Sequence, residues 1–104
     1  PRVVNAIHTG LDELGFKDAV KREWQAGLVV SPIYPDDPNW DFEKVHDYCY
    51  ERGYTIYPGK ISTTNTFRLC ALGAIDEDDI TAFFKVFREA LEHYNIAIPV
   101  VYND

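Results

Sequence analysis

The 104-residue chain contains no methionine, not even at position 1. A translated protein starts with one, so either the initiator has been removed or these residues belong to a longer product. Long apolar runs are also missing. Nothing approaches the roughly 20 residues of a membrane-spanning helix, and the N-terminus lacks the pattern of a signal peptide. Positive charge is scarce, with ten Lys and Arg against seventeen Asp and Glu and a formal net charge of -7. That balance offers no electrostatic footprint for a phosphate backbone, which argues against nucleic acid and, for the same reason, against a membrane surface. The acidity is read as solubility. There are two cysteines, Cys49 and Cys70, with no CxxC or Cys/His ligand spacing. They read as small buried thiols of a cytoplasmic protein rather than as a disulfide. His8, His46 and His93 show no HxH or HxxxH spacing, so no metal site is expected. A nucleophile elbow, a P-loop and a dinucleotide-binding glycine motif are all absent.

What is present is globular composition: 46% hydrophobic and 14% aromatic residues, in a length that suits one domain. Val3, Val4, Ile7, Leu11 and Leu14 recur at helical spacing, which predicts a helix over 2–14 stopped by Gly15, with Phe16 packing back. Residues 17–26 are mixed and read as a connection or a short strained strand. LVVSPIY, residues 28–34, reads as a strand, and Pro32 places it at an edge or at a bulge. PDDPNW is a loop in which Asp36 and Asp37 read as solvation. Asp41 caps a helix with the stripe Phe42, Val45, Tyr48 and Cys49, ending near Arg52 with Gly53 as its stop. YTIY, residues 54–57, is a second strand broken by Pro58–Gly59; residues 62–65 are a polar loop; residues 66–72 are a third strand ended by Gly73. Asp76 caps the longest helix, residues 77–94, with the stripe Ile80, Phe83, Phe84, Phe87, Leu91 and Tyr94. The tail IAIPVVYND has room for a short strand that Pro99 would limit.

The order helix, strand, helix, strand, strand, helix implies an α+β domain: a small, largely antiparallel sheet of three to four strands with helices on one face. A ferredoxin-like, split βαβ arrangement fits from residue 28 onward and stays open.

Candidate chemistry is sparse. The run Asp76, Glu77, Asp78 and Asp79 sits at a helix N-terminus, where carboxylates are stabilised by the dipole and the unpaired amides, so capping outranks metal binding. Lys60 follows a turn with no pocket in view and reads as a solvated lysine rather than a Schiff-base former. Arg68 stands out because it lies between Phe67 and Leu69 inside a strand. If those two side chains face the helices, period-two alternation turns Arg68 to the uncovered sheet face. There a planar guanidinium suits a carboxylate or a phosphonate, from an internal side chain or from a ligand; a simple surface ion pair is the other option.

The segments NWDF, ERGY, IYPGK and FRLCALG, in this order and spacing, resemble the C-terminal small domain of the 2-aminoethylphosphonate–pyruvate transaminases, class V aminotransferases of the pyridoxal-phosphate fold type I. The resemblance covers most of the chain. It implies that residues 1–104 are one domain of a cytoplasmic enzyme that moves the amino group of 2-aminoethylphosphonate to pyruvate, giving phosphonoacetaldehyde and alanine. It implies pyridoxal 5'-phosphate in the intact parent, held by a large domain outside these residues, and a homodimeric parent. It implies a substrate-binding role for Arg68, and no catalytic or cofactor-binding residue in this chain, so that the chain alone is expected to be inactive. FRLCALG departs from the family pattern at Cys70 and Ala71, where glycine and asparagine are usual. The amino donor is therefore open between aminoethylphosphonate and the alanine- or serine–glyoxylate type. A stand-alone small-molecule-binding module is the alternative from a different class; an exposed apolar patch for the missing domain, for which Val3, Val4, Ile7 and Leu11 are candidates, would argue against it.

Overall fold

The computed structural model describes residues 2–19, 29–61, 63–70 and 76–103, with the side chains of 2–4, 29, 60, 61 and 70 left aside. Three helices, α1 (Arg2–Leu14), α2 (Phe42–Glu51) and α3 (Glu77–His93), accompany three strands, β1 (Val29–Val30), β2 (Tyr57–Ile61) and β3 (Thr64–Cys70). The expected connection at 17–26 and the expected strand end at 71–73 fall partly or wholly outside the described residues.

The helix ends follow from local chemistry. α1 stops because Gly15 takes φ +85°. Its N–H donates to Asp12 O and the N–H of Phe16 donates to Leu11 O, the paired bonds of a Schellman cap. α2 stops in the same way at Gly53, φ +91°, with the Tyr54 N–H donating to Cys49 O at 3.0 Å. At the start of α2 the Asp41 carboxylate accepts the Lys44 N–H. At the start of α3, Asp76 accepts the Asp79 N–H at 3.0 Å while Asp79 accepts the Asp76 N–H at 3.1 Å, a closed capping box. The acidic run is therefore helix-start chemistry. Asp76→Ala removes one half of the box and is expected to cost about 1 kcal/mol; the denaturant midpoint should fall with an unchanged slope.

The sheet has the order β1-β3-β2 and is antiparallel throughout. β1, α2 and β2 with β3 between the strands form a split βαβ unit. The tail forms no strand where a ferredoxin-like fold would have its fourth. Instead residues 17–19 run along the outer side of the β1 segment, with Ala19 N–H donating to Ser31 O and Ile33 N–H to Lys17 O. Pro32 is thus buried between two neighbours and not at a sheet edge. The segment keeps its register past it, from Val30↔Leu69 to Ile33↔Thr66, but Pro32 cannot donate, and the regular ladder is reduced to bridges there.

Pro58 and Gly59 do not break the second strand as expected; they lie inside it, and residues 54–56 precede it. The reason is register. The Phe67 N–H donates to Pro32 O, so the polar groups of Phe67 face β1, and Pro58, paired with Phe67 from the other side, is not asked for a hydrogen bond. With Ile61 paired to Thr64, only residues 62 and 63 separate the strands, and the expected polar loop at 62–65 is half strand.

One apolar core joins all three helices to one sheet face: Ile7 and Leu11 of α1, Val45 and Cys49 of α2, Phe87 and Leu91 of α3, with Ile56, Phe67 and Leu69 from the sheet side. Ile7 and Leu11 therefore do not form the exposed docking patch that their spacing suggested; they fill this core. The tail is clasped by the loop that was read as solvated. The Asp36 carboxylate accepts the Asn103 N–H at 2.8 Å, and the Asp37 carboxylate accepts the Ala97 N–H at 3.0 Å. Short carboxylates beside proline reach tail amides that no strand satisfies.

Tyr102 locks the tail in place: its hydroxyl donates to Ile33 O at 2.7 Å and accepts the Lys17 N–H at 3.1 Å. Burial, with Asp18 and Asp36 nearby, pushes the phenol up to about 12 from 10.0 against the opposing Lys17 N–H bond. The folded state thus holds a proton that the unfolded chain releases. The stabilisation is complete below pH 10 and is lost as pH rises toward about 12. Stability measured across that window should decline, and Tyr102→Phe should remove this component while Tyr34, shifted upward by burial and Asp41, keeps its own.

Candidate functional site

The feature that separates β3 from an ordinary core strand is what each face meets. Phe67 is fully buried and Leu69 nearly so, while Arg68 between them is exposed. The alternation expected from sequence holds, and Arg68 stands on the sheet face away from the core. Among the described residues no carboxylate forms an ion pair with it. An internal partner is thereby excluded within those residues.

Two neighbours shape its surroundings. Tyr57 is directly opposite on β2, so it shares the face of Arg68, and it is 44% exposed. Gly59 is one diagonal step away. A Cβ built there would lie 2.9 Å from Arg68 Nε and 3.0 Å from Cγ, so the arginine stem runs across β2 over the glycine. Thr66, opposite Gly59, is fully buried and its hydroxyl has no hydrogen-bond partner among the described residues. Tyr57, Gly59 and Thr66 were not singled out from sequence. Period-two spacing along Thr64–Arg68 carries a signal for Thr66, but Tyr57 and Gly59 emerge only with the register.

The other candidates do not converge. The His8 Nδ1 lies 3.3 Å from an Asp18 carboxylate oxygen, His46 contacts Asp47 and stacks on Tyr50, and His93 packs on Tyr48 and Tyr94. Among the described residues no group of three potential metal ligands forms. Cys49 is a free buried thiol whose pKa is pushed up to about 11 by burial, despite Arg52 nearby, so it is neither nucleophile nor thiolate at neutral pH. The side chains of Lys60 and Cys70 lie outside the described ones. The three described lysine side chains, Lys17, Lys44 and Lys85, are all exposed. None has the desolvated setting that a Schiff-base lysine requires, so the described residues do not fit the carbonyl end of pyridoxal phosphate. A groove of about 730 Å³ lies elsewhere, between α1 and α3, walled by Ala6, Gly10, Phe84, Lys85 and Arg88 among others; Arg68 does not line it. No described helix is long and apolar enough to cross a membrane.

No protein-family model matches the chain. Single relatives do. It is 35% identical over 96 residues, 92% of its length, to 2-aminoethylphosphonate–pyruvate transaminase 1 of Burkholderia lata. It is 36% identical over 91 residues to the enzyme of that name in Burkholderia ambifaria, and 39% identical over 70 residues to that of Bacillus thuringiensis. The chain spans only 25%, 24% and 19% of these relatives. In structure it is similar to a threonine aldolase of Leishmania major, with a TM-score of 0.56 and 18% identity, over 84% of this chain and 23% of the other. That likeness speaks for the fold alone.

Proposed function

Since the chain is a relative of about one quarter of the 2-aminoethylphosphonate–pyruvate transaminases, we propose that it is the C-terminal, substrate-binding small domain of such an enzyme. The observation that carries this is Arg68: an exposed guanidinium without a carboxylate partner among the described residues, on the sheet face opposite to Phe67 and Leu69. Its role is to bind the anionic group of the substrate, a phosphonate or carboxylate, in a two-pronged contact. The enzyme would be cytoplasmic and homodimeric. It would take the amino group from 2-aminoethylphosphonate to pyruvate, leaving phosphonoacetaldehyde and alanine.

Pyridoxal phosphate would supply the electron sink and amine carrier from residues outside this chain. What the described residues contribute is orientation: an anion clamped at Arg68 fixes one end of the substrate and so presents the amine end to chemistry performed elsewhere.

The test is an assay of the full-length protein with aminoethylphosphonate and pyruvate, reading alanine and phosphonoacetaldehyde together. Equal amounts of both are expected. Turnover with alanine or serine and glyoxylate but not with aminoethylphosphonate would overturn the donor assignment. The 104-residue chain given pyridoxal phosphate and the same substrates should yield no alanine above a no-protein control. Alanine formed by the chain alone would show that the cofactor machinery is in these residues after all.

A further inference from the structure

Gly59 occupies an interior position of β2, where glycine is ordinarily a poor choice. The two reasons that usually account for a glycine can be separated here. Gly15 and Gly53 are required by backbone shape, since both have positive φ. Gly59 does not have positive φ, so an alanine is compatible with its backbone. The restriction is space: the three atoms nearest an added Cβ all belong to Arg68, with Nε at 2.9 Å, Cγ at 3.0 Å and Cδ at 3.4 Å. Distances below 3.0 Å are not tolerated, so a methyl group there displaces the arginine. Because the obstructed atoms are the middle of a flexible side chain and not backbone, the strand can survive the change while the guanidinium moves.

The geometry points to Gly59 as a positioning residue for the anion site. Its missing side chain leaves a slot across β2 in which the Arg68 stem lies, and this slot aims the guanidinium. Without the slot, the exposed arginine would sample several rotamers and lose entropy on binding an anion. With it, the fork is held in place before the ligand arrives. The inference rests on the reading of Arg68 as the substrate-anion group, and it adds a residue that touches no substrate.

The effect has a signature that a structural role would not give. Alanine is better than glycine in a strand interior, so Gly59→Ala should leave the melting temperature unchanged or raise it. In the full-length protein the same change should raise KM for aminoethylphosphonate about tenfold. The effect should vanish in an Arg68→Ala background, because there is no longer an arginine to displace. On the 104-residue chain, the Arg68 Nε–H resonance should show an ordered side chain that becomes mobile or shifts in Gly59→Ala. If Arg68→Ala raises KM and Gly59→Ala does not, the positioning role is overturned and the anion site stands. If Arg68→Ala leaves kcat/KM unchanged, the anion site itself falls. In that event the resonance decides the slot: a change in Gly59→Ala upholds it and an unaltered signal overturns it. A Gly59→Ala penalty that persists without Arg68 also overturns it.

Discussion

Arg68→Ala in the full-length protein should lower kcat/KM for aminoethylphosphonate on the order of a hundredfold, with the absorbance of bound cofactor unchanged. The magnitude follows from the contact proposed. A hydrogen bond to a charged group contributes about 1.5–3 kcal/mol, and each 1.36 kcal/mol is about a factor of ten in rate. A two-pronged contact lies at the upper end of that range. The main change should fall in KM if the anion is gripped equally in the ground and transition states, and in kcat if the grip also sets the approach of the amine. Arg68→Lys retains the charge but not the fork, and should recover only part of the loss. Because Arg68 is exposed and has no described ion-pair partner, its removal should leave stability within about 0.5 kcal/mol of the parent. A value of kcat/KM that does not change would remove Arg68 from the site.

Phe67, its neighbour on the other face, should show the opposite behaviour. It is fully buried at the centre of the aromatic core. Its ring centroid lies 5.6 Å from Trp40, 5.7 Å from Phe16 and 5.9 Å from Phe87, with Tyr34 and Phe42 both at 6.2 Å. Phe67→Ala leaves a cavity that five other rings border. Large-to-small changes of this kind cost about 3–5 kcal/mol. Against a total stability of about 5–15 kcal/mol for a domain, that is a large fraction. The melting temperature of the 104-residue chain should fall by about 4–8 °C for each kcal/mol lost. Phe67→Leu keeps most of the buried volume and should cost less than half as much. Calorimetry or denaturant unfolding of the two variants checks the order; equal losses would mean that refilling the space recovers nothing and that the ring contacts themselves carry the stabilisation.

Adjacent residues with opposite consequences illustrate how much could be read from the chain. The helices were legible because their signals are local. The apolar stripe of α1 predicts Arg2–Leu14, and α3 ends within a residue of its expected end. Gly15, Gly53, Asp41 and Asp76 mark their termini by chemistry that depends on the next three or four residues. Strand positions were less legible. β2 begins at Tyr57, where it was expected to end, because Pro58 is harmless on the side of the strand that carries no ladder bond. Pro32 was expected at an edge or bulge and is buried between two neighbours, because a second segment, residues 17–19, covers the outer side of β1. Asp36 and Asp37 looked like loop solvation because their partners lie about sixty residues away in the tail.

The same division applies to the candidate site. Sequence determined that Arg68 points opposite to Phe67 and Leu69, since alternation needs no knowledge of any other strand; that those two face the core is shown by their burial. Sequence also determined the likeness to the transaminases, which rests on short segments in fixed order. Only the tertiary structure decided what stands beside the arginine. Tyr57 opposite and Gly59 beneath are consequences of a pairing register, and register is set by long-range packing: a shift of one residue would turn every side chain of β2 to the other face. A local pattern can say which way a side chain points, but what it meets there depends on contacts that form only when distant parts of the chain are brought together.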